Sequence, residues 1–245
     1  MKPIDRRTFL TAGAAVSLGI LGSRAWSAPT QRIWTFDNLQ QIGGRPVTLE
    51  GQPKLVDSPW GSAVAFDGQA DAIFIDEHPL AGAATFTFEA LFRPDGGAFE
   101  QRWFHLESHQ QPPAPAGKGS TRMLFEIRVV ENQWYLDAFT IGEGYRQALI
   151  VPEKRFPLGQ WYHVAQTYDG EQYSSYVNGE LQAQAAMSFT PQGPGQASVG
   201  VRMNRVSYFN GAVREARFTH QALSPAQFTK PARSSPPSRS RTSQA

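Results

Sequence analysis

The sequence of 245 residues contains no cysteine. Without cysteine the chain has no disulfide framework, no thiol nucleophile, and no zinc or iron–sulfur site with thiolate ligands. The five histidines show no metal-ligand spacing such as HExxH. The fold must therefore be held by its apolar core, for which a chain of this length is sufficient in one domain.

Long apolar runs and long stretches of helical period are also missing. The N-terminal apolar stretch, from Ala12 to Leu21, is short and diluted by glycine and alanine. It follows Arg6, Arg7 and Phe9, an order that resembles a twin-arginine export signal. We therefore expect residues 1–28 to be a signal peptide. The mature chain is expected to have no membrane span and to be periplasmic or secreted from a bacterium.

A strong charge of one sign is absent from the central part. The whole chain has 23 basic and 21 acidic residues, but residues 29–229 hold 15 basic and 20 acidic ones, a net charge of −5. Nucleic-acid binding needs a basic surface, so we expect no nucleic-acid partner. The end of the chain, 230–245, is basic and lacks apolar residues that could anchor it, which predicts a disordered tail.

Aromatic and turn-forming residues are abundant, with 16 Phe, 7 Tyr and 6 Trp beside 22 Gly and 18 Pro. Apolar and polar residues alternate over 85–93 and again over 123–129, which predicts two strands with one buried face each. Glu131 lies in a turn that leads to a partner strand, 134–140. This succession of short strands predicts an all-β fold, an antiparallel two-sheet β-sandwich, over 29–229.

Residues 161–180 read WYHVAQTYDGEQYSSYVNGE and contain two tight-turn signals. Asp169-Gly170 and Asn178-Gly179 supply the positive φ angles that hairpin turns need. The segment predicts three consecutive antiparallel strands.

Three blocks, 63–68, 161–179 and 208–228, resemble in order and spacing the laminin-G-like domains of the concanavalin-A-like jelly-roll type. The resemblance implies a jelly roll, and domains of this type mostly bind sugars. Arg214 stands where members of the family often carry Asp, so an acidic or metal role is not carried over to that strand.

The strand from Gln101 to Glu107 is the best candidate for a ligand-binding site. Alternation places Phe104 and Leu106 in the core and the intervening side chains, including Gln101 and Trp103, on the outer face. An aromatic ring flanked by hydrogen-bonding groups suits sugar recognition, because the ring stacks on the apolar face of a pyranose. The outer faces of the next strands add further polar groups. The predicted ligand-binding residues are Trp103, His105, Glu107, Glu126, Arg128, Tyr135 and Asp137.

Several functions remain open at this stage. The prediction is an exported lectin-like module that binds a glycan or polymer and has no catalytic residues. A glycoside hydrolase would use Glu126 and Glu131, although Arg128 replaces the helper Asp of jelly-roll glucanases. A polysaccharide lyase would use Arg128 against a uronate and His105 or Tyr135 as base. A third possibility is a domain that binds another exported protein through the loop 107–121.

No cofactor is expected apart from one candidate, a structural calcium ion. Four carboxylates lie near turns where oxygen ligands can gather, and many jelly-roll domains hold one Ca²⁺. The ligands are not assigned among Asp67, Asp71, Asp169 and Glu215. Aspartate in such turns is usually explained by the turn itself.

Overall fold

The computed structural model describes residues 30–109 and 121–229. The predicted signal peptide with Arg6 and Arg7, the predicted tail 230–245 and most of the loop 107–121 lie outside these residues. No helix among the described residues is long and apolar enough to cross a membrane. The regular elements are β1 (Gln31–Thr35), β2 (Gln41–Ile42), β3 (Arg45–Glu50), β4 (Lys54–Ser58), β5 (Gly61–Asp67), β6 (Ala72–Ile75), β7 (Phe86–Gly96), β8 (Glu100–Ser108), β9 (Arg122–Val130), β10 (Gln133–Gly142), β11 (Tyr145–Ile150), β12 (Phe156–Pro157), β13 (Tyr162–Tyr168), β14 (Gln172–Val177), β15 (Glu180–Ala186), β16 (Gly195–Val199), β17 (Asn210–Thr219) and a 3₁₀ turn (Pro225–Gln227).

The strands form two antiparallel sheets that pack face to face. The first sheet has eight strands in the order β15-β14-β13-β7-β17-β5-β4, with β1 beside β17. The second sheet has nine strands in the order β11-β10-β9-β8-β16-β6-β3-β2, with β12 beside β10. The predicted antiparallel β-sandwich is confirmed.

The hairpin segment 161–180 forms β13, β14 and β15, as its turn signals predict. Gly170, Asn178 and Gly179 all have positive φ angles. Asn178 and Gly179 are the two central residues of the β14–β15 turn, and this combination matches the right-handed twist of the flanking strands. Asp169 Oδ1 accepts hydrogen bonds from the backbone N–H groups of Glu171 and Gln172 at 2.9 and 2.7 Å, which fixes the β13–β14 turn.

Aromatic rings from both sheets make the core between them. Phe88 of the first sheet lies with its ring centroid 4.5 Å from Phe125 and 5.0 Å from Phe104, both of the second sheet. The predicted inward faces of β7 and β9 are confirmed, since Phe86, Phe88, Phe92, Met123, Phe125 and Ile127 are at most 1 % exposed. Each such ring contributes about 1.5–3 kcal/mol by leaving water.

The prediction that Trp103 points outward is wrong. Strand β8 has a bulge between Arg102 and Phe104, so one extra residue fits between two that pair with consecutive residues of β9. The indole of Trp103 is 0 % exposed and stacks between Phe92 and Phe125, with centroids 4.3 and 5.3 Å away. Gln101, also predicted outward, is buried, and its amide binds the backbone oxygens of Gly96 and Ala98.

Candidate functional site

A row of charged side chains crosses the outer face of the second sheet. Arg102 of β8 lies opposite Glu126 of β9, and Glu126 lies opposite Asp137 of β10. The bulge at Trp103 turns Arg102 to this face, so three neighbouring strands each contribute a charge to one row. Directly opposite residues on adjacent strands have β-carbons about 5 Å apart, which brings their charged groups into contact.

Arg128 holds this row together. Its Nη2 lies 2.7 Å from Asp137 Oδ2, 3.1 Å from Glu126 Oε2 and 3.4 Å from Glu100 Oε2. Arg102 Nε lies 2.9 Å from Glu126 Oε1, and Arg102 also pairs with Glu100. We refer to Glu100, Arg102, Glu126, Arg128 and Asp137 as the Arg128 cluster. The side chains of Glu126 and Asp137 are each 7 % exposed, whereas those of Arg102 and Glu100 are 20 % and 36 % exposed. A ligand can therefore reach the cluster from the Glu100 side.

Asp137 is the member of the cluster whose negative charge has the least favourable environment. Burial, together with the negative charge of Glu126, raises the pKa of Asp137 to about 6, although Arg128 acts in the opposite direction. Its second oxygen, Oδ1, is buried and has no hydrogen-bond partner among the described residues. A carboxyl in this environment is partly protonated near pH 6, and it then offers a proton donor as well as acceptors.

The connection between β16 and β17, residues 200–209, folds over the same outer face. Arg102 Nη1 donates to Ser207 Oγ at 2.8 Å, and the Ser207 hydroxyl donates to Glu100 Oε1 at 3.1 Å. The backbone N–H of Met203 donates to His105 Nδ1 at 2.9 Å. The connection therefore closes one side of the Arg128 cluster and covers His105.

His105 lies under this connection and is 0 % exposed. Burial, followed by the positive charges of Arg202 and Arg122, holds the pKa of His105 well below its usual value. Because Nδ1 accepts the Met203 N–H, the neutral ring carries its proton on Nε2, 3.4 Å from Glu107 Oε2. A ring in this position cannot reach a polysaccharide, so the structure does not support His105 as the base of a lyase.

The other predicted residues occupy the same face. Tyr135 lies opposite Arg128 and is 6 % exposed. Glu107 is 5 % exposed and lies opposite Arg122, at the far end of β8 from the cluster. The structure thus brings together Glu126, Arg128, Tyr135 and Asp137 and places His105 and Glu107 further along the face. A ligand-binding role for these six residues stays a prediction.

Sequence reasoning missed three residues that complete the site, namely Glu100, Arg102 and Ser207. An arginine between Gln101 and Trp103 was a signal for an outward position, but strict alternation assigned it to the core. Phe99, which directly precedes Glu100, was also overlooked and is 58 % exposed.

The carboxylates considered for calcium have partners within the protein. Asp67 Oδ1 accepts the backbone N–H groups of Gln69 and Ala70 at 2.8 and 2.9 Å. Asp71 binds the backbone N–H of Gln52, Asp169 caps its own turn, and Glu215 pairs with Arg217. Across 30–109 and 121–229 no group of three or more His, Asp or Glu residues is placed to hold a metal ion. A structural calcium ion stays a prediction.

The two-sheet jelly roll agrees with a family assignment from the sequence. The chain belongs to the concanavalin A-like lectin/glucanase superfamily, whose Laminin_G_3 model matches residues 67–228. No curated protein matches the chain.

Solved structures with the same fold come from several kinds of protein. Domain 4 of AbnA, a GH43 extracellular arabinanase from Geobacillus stearothermophilus in complex with arabinotriose, has a TM-score of 0.60 at 19% identity and covers 82% of this chain and 97% of its own. A heptameric SAP-like pentraxin from Limulus polyphemus has a TM-score of 0.52 at 15% identity. The match covers 70% of this chain and 82% of the pentraxin chain. A structure of botulinum neurotoxin type C, whose cell entry depends on interaction with two ganglioside molecules, has a TM-score of 0.53 at 12% identity. The match covers 80% of this chain and 49% of the neurotoxin chain. At these identities the similarity establishes the fold alone.

Proposed function

We propose that the protein is an exported glycan-binding module and that the Arg128 cluster is its binding surface. One observation carries the proposal: five charged side chains from three strands hold one another in fixed positions and reach solvent at Glu100 and Arg102. Fixed carboxylates and guanidinium groups suit sugar hydroxyls, which both donate and accept hydrogen bonds. Because the donors are already ordered, little conformational entropy is lost on binding.

Phe99 and Val206 are exposed apolar residues next in sequence to residues of this surface, and we propose that they take the place of Trp103 as its apolar part. Phe99 is 58 % exposed and adjoins Glu100 in the chain, and Val206, 40 % exposed, adjoins Ser207, which binds Glu100. An exposed ring beside ordered polar groups is the combination that stacks on a sugar. The arabinotriose bound to domain 4 of AbnA and the gangliosides of botulinum neurotoxin type C support a glycan as the ligand class.

Export supplies the second part of the proposal. Arg6, Arg7 and the apolar stretch that follows support transfer by the twin-arginine route, so the ligand is an extracellular or periplasmic glycan or polymer. Fractionation of the producing cells locates the protein; recovery from the cytoplasm alone would contradict this part.

The geometry favours binding over hydrolysis. Glycoside hydrolysis needs two carboxyls on either side of the scissile bond. Here Nη2 of Arg128 lies between Glu126 and Asp137, within 3.1 and 2.7 Å of them, and occupies the space a sugar carbon would need. Glu131, the other carboxylate of the hydrolase alternative, is exposed in the β9–β10 turn, as predicted.

A matched pair of variants tests the Arg128 cluster. A glycan array that includes arabino-oligosaccharides and ganglioside headgroups identifies the ligand, and calorimetry then compares Glu100→Gln with Glu215→Gln. Both glutamates are ion-paired with an arginine, but Glu215 lies on the outer face of the first sheet. We expect Glu100→Gln to bind about tenfold more weakly than the wild type, because one charge-assisted hydrogen bond is lost. The control, Glu215→Gln, should keep the wild-type affinity. Equal affinities in the two variants, or no glycan bound by the wild type, would contradict the proposal.

A further inference from the structure

The outer face of the first sheet carries an aromatic surface of its own. The described residues include five tryptophans, and Trp34, Trp103 and Trp134 are at most 1 % exposed. The remaining two, Trp60 and Trp161, are partly exposed and contact each other, with ring centroids 5.9 Å apart and planes at 88°. These two indoles are 101 positions apart in the chain but form a single surface.

The strand order explains how these two rings meet. Trp60 lies at the tip of the β4–β5 hairpin, and Trp161 directly precedes β13. Strands β7 and β17 lie between β5 and β13 in the sheet, so Trp60 and Trp161 meet through the hairpin tip and not through neighbouring strands. Arg214 fixes the hairpin tip, because its Nε and Nη2 donate to the Trp60 carbonyl oxygen at 3.2 and 3.0 Å.

An oriented charged pair lies beside the rings. The guanidinium carbon of Arg93 lies 5.4 Å from the ring centroid of Trp161. Its Nε and Nη2 donate to the two carboxylate oxygens of Asp95 at 2.7 and 2.8 Å, a bidentate arrangement. Both side chains remain accessible, at 26 % and 30 % exposure. Partly exposed rings and accessible hydrogen-bonding groups thus stand side by side.

We propose that Trp60, Arg93, Asp95 and Trp161 form a second glycan-binding surface. The two indoles offer a floor and a wall for the apolar C–H faces of a sugar ring, while Arg93 and Asp95 address its hydroxyls. This surface lies on the outer face of the first sheet and the Arg128 cluster on that of the second, so they point away from each other. One short oligosaccharide cannot contact both. The module therefore holds two separate chains of a polymer, and the choice of ligand class rests on the proposed function.

The number of binding sites per chain tests the proposal. Calorimetry with the oligosaccharide that the wild type binds should give two sites in the wild type and one in Trp60→Ala, and Trp60→Phe should retain the second site at about tenfold lower affinity or better. Leu55→Ala, in the same hairpin and 48 % exposed, is the matched control and should keep both sites. Turbidity from cross-linked polysaccharide should appear with the wild type and disappear in Trp60→Ala.

A chemical protection experiment on the wild type avoids any dependence on the folding of the variants. N-bromosuccinimide oxidises accessible indoles, and saturating oligosaccharide should shield Trp60 and Trp161, as mapped by mass spectrometry. The second surface would be overturned if Trp60→Ala kept two binding sites, or if saturating oligosaccharide left the oxidation of Trp60 and Trp161 unchanged. A lower sedimentation coefficient in Trp60→Ala than in the wild type, with both binding sites intact, would also overturn it. The two rings would then join copies of the chain instead of binding a glycan. Weaker binding in Glu100→Gln, together with a Trp60 that the oligosaccharide does not shield, leaves the proposed function standing and removes this inference alone. A wild type that binds no glycan removes both.

Discussion

The Asp137 side chain on the outer face of the second sheet lowers the stability of the fold when it is ionised. Asp137 shares Arg128 with Glu126 and leaves one oxygen without a partner among the described residues. Its pKa is about 6 in the folded chain, against an ordinary value of 3.8. The folded chain therefore binds this proton more tightly than the unfolded chain does. The contribution of Asp137 to stability is most favourable below pH 4 and declines as the pH rises through 6.

Asp137→Asn removes this titration. We expect the unfolding free energy of the wild type, relative to Asp137→Asn, to decrease between about pH 4 and pH 7 by at most about 3 kcal/mol, at 1.4 kcal/mol per pKa unit. Urea unfolding at pH 4, 5.5 and 7 measures the difference.

Asp67 provides the opposite control. Burial alone would raise the pKa of Asp67, but the backbone N–H groups of Ala70, Gln69 and Asp71 together lower it. Its stabilising contribution is therefore lost as the pH falls, and the wild type should gain relative to Asp67→Asn as the pH rises. The same direction in both variants would contradict the environment described for Asp137.

At the scale of elements, alternation predicted the strands well but failed where a bulge interrupts one. The inward faces of β7 and β9 follow from sequence alone, as does the Asn178-Gly179 turn. In β8 the bulge adds a residue, so Trp103 and Phe104 both face the core and Arg102 turns outward. The space that receives Trp103 is formed by Phe92 and Phe125, which no local pattern around position 103 reveals. Four of the predicted site residues come together because they lie on β9 and β10, where pairing is regular.

The 200–209 connection is an element that sequence patterns did not show, and the hydrogen bond from Met203 to His105 is one of several that tie it to β8. His105→Ala removes the acceptor of the Met203 N–H. A lost hydrogen bond of about 1.4 kcal/mol makes local opening about tenfold more frequent. We expect hydrogen exchange at Met203 to accelerate about tenfold in His105→Ala and amides of β13 to remain protected, as measured by NMR. His109→Ala, at a 53 % exposed side chain beyond the end of β8, is the control and should leave Met203 unchanged. Unaltered exchange in His105→Ala would show that other contacts hold the connection.

The whole molecule is stabilised by contacts that join its two sheets, and Trp103 is central among them. It stacks on Phe92 of the first sheet and Phe125 of the second. Trp103→Ala should therefore lower the unfolding free energy by about 3–5 kcal/mol and leave a single cooperative transition. Chemical denaturation followed by far-UV circular dichroism and by tryptophan fluorescence measures both.

Trp60→Ala serves as the comparison for Trp103→Ala, because it removes a partly exposed indole from the outer face and should cost clearly less. A similar loss in the two variants would argue against a core position for Trp103.

The position of β17 has a consequence for synthesis. This strand, residues 210–219, lies in the middle of the first sheet and pairs with β1, β5 and β7. Until the ribosome has released it, those three strands lack their common neighbour, and the hydrogen-bonding edges of β5 and β7 stay open. The first sheet cannot close strand by strand as translation proceeds, because its long-range pairing waits for β17, the last of the described strands. A nascent chain therefore stays exposed to aggregation and proteolysis until β17 has left the ribosome.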